Sequence, residues 1–210
     1  MTKKNGGKVI QMLTPENYIR KRSRDLPVWE CLINADWEKS GMANVVVARR
    51  HANGNITYCL YMVDLLCLGV KDTLFSFNTP LFEYKEFVEE KMEHLKMITI
   101  NYTLAHNVVY AAVEFAEEYG FKPHKDFIAT TRYHLSEDNE EVELIDIGCG
   151  RDGKPLYVQG PFDNSQKVKQ TIAQLDRTAG PGNYDYILAG DEGRNDEQDD
   201  DEDEWDEDKE

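Results

Sequence analysis

The chain has 210 residues, 40% of them apolar, with eight Phe, eleven Tyr and three Trp, enough to bury a real core in one domain. Its net charge of −16 is uneven: residues 191–210 hold fourteen acids against Arg194 and Lys209, a net −12, residues 1–25 carry +5, and residues 26–190 carry −9. A body of that sign excludes attraction of polyanions by the overall field, so nucleic-acid contact needs a local patch, and no apolar run approaches the roughly 18 residues of a membrane span.

The start, Met1 to Lys8, is polar and basic without an apolar leader core, so residues 1–13 read as a flexible basic arm and the expected location is the cytoplasm. Thr14 caps a short helix with Pro15 in its first turn, and Leu26-Pro27 ends it. That helix carries Arg20, Lys21, Arg22 and Arg24. Strands follow at Val28 to Asn34 and Asn44 to Arg50, the second closed by the turn signal Asn53-Gly54. From Tyr58 to Leu68 both alternating faces are mostly apolar, which predicts a central strand covered on both sides. Thr73 to Phe77 continues as a further short strand.

Helices come next. Thr79 and Pro80 open one running to about Lys96, with Leu81, Tyr84, Val88, Met92 and Leu95 on a stripe. A second spans about Thr103 to Tyr119 and stops at Gly120; a third runs from near Asp126 to Leu135. Val142 to Ile147 and Leu156 to Gln159 read as a hairpin around Gly148 to Gly153, and a last helix, about Ser165 to Arg177, ends before Gly180-Pro181-Gly182. The pattern predicts one α+β domain over residues 14–188, with a mostly antiparallel sheet of about five strands packed against a block of helices, then a disordered acidic tail over residues 189–210.

Four segments are word-like: Leu26 to Asn34, Met62 to Asp72, Tyr119 to Phe127 and Gly153 to Pro161. Together they resemble an uncharacterised bacterial family, some of whose members are joined to small zinc-binding or helical-repeat modules. The resemblance covers about residues 18–188 and implies a unit ending near Gly182-Asn183-Tyr184, with the acidic tail as an addition. It brings no activity and no functional residues.

Chemistry-bearing motifs are sparse. Gly148-Cys149-Gly150-Arg151-Asp152-Gly153 matches a glycine-rich phosphate turn, but Pro155 and a strand follow it where such a turn needs a helix N-terminus, so a hairpin turn at Asp152-Gly153 is expected. Cys31, Cys59, Cys67 and Cys149 lack C-x-x-C spacing and are expected as reduced, buried thiols. The five histidines show no metal-ligand spacing, and no cofactor or metal site is assigned.

Asp64 stands out, because a carboxylate among apolar strand neighbours needs a partner. A metal-dependent hydrolase or nuclease would use it with Asp72, Glu114, Asp146 or Asp163; a strand-end or paired structural acid is the plainer alternative. Arg20, Lys21, Arg22 and Arg24, with Arg49 and Arg50 at a hairpin mouth, are candidate partner- or phosphate-binding residues, against an ordinary solvated face. Trp205 is a candidate anchor for docking of the acidic tail, whose alternative role is solubilisation. The leading expectation is a non-catalytic binding or adaptor protein whose tail engages a protein with a basic surface, or competes with nucleic acid for the basic helix, and which has no membrane partner. A structural module of a larger assembly would instead expose a large apolar patch.

Overall fold

The computed structural model describes residues 13–189, except 92 and 140. Helix α1 (Pro15–Arg22) starts where its cap signal stands: the Asn17 N–H donates to the Thr14 hydroxyl at 3.3 Å. Strands β1 (Val28–Asn34), β2 (Met42–Arg50), β3 (Ile56–Asp64) and β4 (Gly69–Thr79) form an antiparallel meander, with the short helix α2 (Trp37–Ser40) between β1 and β2. Strand β5 (Met97–Ile100) joins β1, giving the order β4-β3-β2-β1-β5 and an α+β fold.

One sheet face is sealed. Cys31, Ile33, Val45, Val47, Cys59, Tyr61 and Val63 pack beneath Ala105, Val108, Val109 and Ala112 of helix α4 (Tyr102–Glu118). Fully burying each large aliphatic side chain contributes roughly 1.5–3 kcal/mol, so this face dominates folding. On the opposite face, helix α3 (Leu81–Glu86) and the π-helical turn Phe87–Lys91 place Tyr84 and Phe87 on Tyr58, with ring centroids 5.2 and 4.8 Å away. Their cover stops short of Met62 and Leu74, which are 41% and 44% exposed. The strand expected to be central and covered on both sides is therefore second from the edge and covered throughout on one face; β2 is the central strand.

Three further expectations change. The long helix expected to reach Lys96 divides into α3, the π-helical turn and a 3-10 turn at Glu93–Leu95. Leu81, Tyr84, Val88 and Leu95 of the expected stripe still pack on the sheet, Met92 lies outside the described residues, and a positive φ of 46° at Lys96 then turns the chain into β5. The helix expected over 126–135 breaks at Thr130 into α5 (Lys125–Ala129) and the 3-10 turn Thr131–His134. The expected hairpin of 142–147 with 156–159 does not form. Buried Asn107 of α4 holds the first arm instead, donating to the Glu143 carbonyl and accepting from the Ile145 N–H, each at 2.9 Å.

Strand β6 (Leu156–Val158) pairs in parallel with β7 (Asp185–Ile187), and helix α6 (Ser165–Thr178) makes the crossover that a parallel pair requires. The expected turn at Asp152-Gly153 is present: both residues have positive φ, 54° and 77°, and Arg151 bridges Lys154.

Candidate functional site

The exposed cations of α1 are set by what its other face buries. Ile19 is fully buried, and Tyr18 stacks on Phe77 and His51 at centroid distances of 4.7 and 5.5 Å, which turns Arg20, Lys21 and Arg22 to solvent in the last helical turn. The 3-10 turn Thr131–His134 lies alongside, where the Tyr133 ring takes the Arg20 guanidinium at 5.9 Å and that of Arg132 at 5.4 Å. Two guanidinium groups sharing one ring concentrate positive charge there, a placement with no sequence signal because Arg132 lies far along the chain. Arg22 sits 3.9 Å from Asp25, and Arg24 2.9 Å from Glu137. Both pairs are exposed enough to contribute at most about 1 kcal/mol. Arg20, Lys21 and Arg132 have no carboxylate within 4.0 Å among the described residues.

Arg49 does not belong to this surface. It is 4% exposed, and it donates to the carbonyls of His134 (3.1 Å), Arg24 (3.2 Å) and Leu26 (2.7 Å), with its guanidinium 5.3 Å from the Tyr102 ring. Its charge satisfies chain carbonyls where α1 and the 131–134 turn end, so its expected role as a phosphate contact is corrected to a structural clamp. Arg50 is half-buried against Trp29, 4.3 Å away, where a β-bulge lifts the tryptophan out of register. Trp205 lies outside the described residues.

Asp64 closes the turn between β3 and β4. Its side chain is 3% exposed; Oδ1 accepts from the N–H groups of Leu66 (2.9 Å) and Cys67 (3.1 Å), and Oδ2 lies 3.8 Å from Lys71 Nζ. Burial raises its pKa, against the opposing pull of Lys71 and the backbone amides. A carboxylate committed to its own turn is a poor metal ligand. Asp163, one of its conceivable companions, is instead bound by Lys167, by the Tyr157 hydroxyl at 3.0 Å and by the Gly160 N–H at 2.9 Å. Among the described residues no group of three or more His, Cys, Asp or Glu side chains is arranged to hold a metal ion.

Nucleophilic chemistry fares no better. Cys31, Cys59 and Cys67 are buried free thiols and Cys149 is half-buried. Burial pushes the thiols of Cys31 and Cys67 up to about 12 and that of Cys149 to about 11, so a thiolate is scarce at neutral pH. Buried His134 is held neutral, its pKa lowered to about 3 by burial and then by Arg49, and its Nε2 meets the Val47 carbonyl at 3.1 Å. His106 contacts the Ser136 carbonyl rather than its hydroxyl. No described helix is long and apolar enough to cross a membrane. Compared with family models, with curated proteins and with solved structures, the chain finds no match.

Proposed function

We propose that the protein is a non-catalytic binding or adaptor protein. Its acidic segment, 191–210, takes a partner with a basic surface, and the Arg20–Lys21–Arg132 face of its own domain is the internal competitor for that segment. The supporting observation is charge segregation: a net −12 in twenty residues stands against cations that, among the described residues, have no carboxylate within 4.0 Å or only an exposed one. Like-charge crowding within the segment favours any oppositely charged partner, internal or external.

Nucleic acid would compete with the segment for the same face. Binding of a single-stranded oligonucleotide, measured across salt for the full chain and for a chain ending at Ala189, tests this. The shortened chain is expected to bind more tightly, with a steeper salt dependence. Identical, salt-insensitive behaviour of the two chains would remove the proposal. The metal-dependent hydrolase reading loses its support, because Asp64 is committed to its turn.

A further inference from the structure

We infer that a pocket between β4, the loop joining α4 to α5, and helix α6 is a binding site for a small organic anion with an apolar body and a carboxylate or phosphate head. The pocket has a volume of about 280 Å³, near the lower end of small-molecule sites. Leu68, Val70 and Phe121 supply apolar wall, whereas Lys71, Lys122 and Lys167 supply cationic lining, and His124 and the buried Thr171 complete it.

The cations come from three separate segments, and the backbone is shaped to deliver one of them. Val63 pairs with Val70 and Met62 with Asp72, so Lys71 is the extra residue of a β-bulge in β4. Bulges re-aim a side chain, and here the bulge sends Lys71 toward the pocket instead of along the ladder. Gly69 makes the approach possible. Its φ is 68°, and a Cβ there would stand 2.9 Å from the Ala116 Cβ and 3.0 Å from the Ala112 carbonyl oxygen, so β4 begins in direct contact with α4.

Buried carboxylates hold two of the lysines from behind. Asp64 Oδ2 lies 3.8 Å from Lys71 Nζ, and Asp163, two residues before the start of α6, binds Lys167 in the first turn of that helix. Both carboxylates are nearly inaccessible, with side chains 3% and 4% exposed, so they orient the ammonium groups without presenting negative charge to the cavity. Lys122 is exposed and has no ion pair among the described residues; His124 lies 3.8 Å from each of the exposed acids Asp72 and Asp126. No Asp or Glu is among the residues that line the cavity, so the side chains facing a ligand there are three ammonium groups beside an apolar wall, which selects an anion with a hydrophobic body over bare phosphate. The segments Met62 to Asp72 and Tyr119 to Phe127, distant in sequence, meet helix α6 at this pocket, and Tyr157 donates to Asp163, the partner of Lys167.

Phenyl phosphate is a suitable probe, with inorganic phosphate and benzyl alcohol as controls, titrated into the full ¹⁵N-labelled chain and followed by amide shifts. Saturable shifts centred on Lys71, Lys122, His124 and Lys167 are expected, with both controls about tenfold or more weaker because each lacks half of the recognition. Lys122→Gln, at an exposed position, should weaken phenyl phosphate about tenfold, as expected for loss of a charge-assisted contact. Thr171→Val, nearly isosteric, should weaken it less and leave the fold intact. Shifts scattered over surface lysines, equal binding of inorganic phosphate, no saturable shift, or an unchanged affinity in a folded Lys122→Gln variant would each overturn the inference.

Discussion

Replacing Asp64 separates a turn-forming carboxylate from a catalytic one. Asp64→Ala removes the acceptor of the Leu66 and Cys67 amides, which lie 2.9 and 3.1 Å from Oδ1. Each buried donor left unsatisfied costs about 1–3 kcal/mol, and the two share one turn, so a loss near 3 kcal/mol is expected. For a domain of this size that lowers Tm by about 6–12 °C. Asp64→Asn keeps an acceptor oxygen and discards a charge whose burial raises its pKa, so it should cost under about 1 kcal/mol.

The same substitution carries a pH signature. A carboxyl whose folded pKa lies above its usual 3.8 stabilises the fold below that pH, and the contribution is lost as pH rises through the folded pKa. The Asn variant should lack that slope. Urea unfolding of both variants, at neutral and at acidic pH, measures each effect. Equal damage from Asn and Ala at neutral pH would mean that the charge, not the acceptor, holds the turn. A metal-dependent hydrolytic activity abolished in a folded Asp64→Asn variant would restore the catalytic reading.

Other expectations follow from buried groups. Arg49→Leu should destabilise by about 3–5 kcal/mol, since three carbonyls lose a charged donor, and urea midpoints will show it; a change under about 1 kcal/mol would contradict the clamp. His134 titrates near 6.5 when unfolded and near 3 when folded, so the unfolded chain holds the extra proton between those values and stability falls as pH drops through that window. His134→Gln should flatten this slope in unfolding measured against pH, and an unchanged slope would contradict it. A thiol-reactive disulfide reagent at neutral pH should label the folded chain slowly at all four cysteines; a fast stoichiometric burst would reveal a thiolate that the structure does not provide.

Local rules carried much of the fold. The Thr14 cap, the Asn53-Gly54 turn and the end of α4 at Gly120 stand where their signals are, because each depends on side chains within a few residues. The failures are places where distant groups compete. The 142–147 segment has strand-like alternation, but Asn107, a residue of α4, takes its hydrogen bonds. β7 escaped notice because three exposed residues acquire strand character only through β6, across α6. Arg20 and Lys21 were legible as exposed cations, whereas the addition of Arg132 and the withdrawal of Arg49 required packing information. The lysine-lined pocket was invisible for the same reason: its residues belong to three segments brought together by a bulge and a crossover.

Competition between the acidic segment and the domain is tested most directly in the full chain with Arg20, Lys21 and Arg132 changed to Gln. Binding of a fluorescent oligolysine peptide to that variant and to the unaltered chain supplies the comparison. Removal of the internal competitor should tighten peptide binding by about fivefold or more, the lower end of ordinary coupling between two sites. Equal affinity of the two folded proteins for the peptide would contradict the proposed competition.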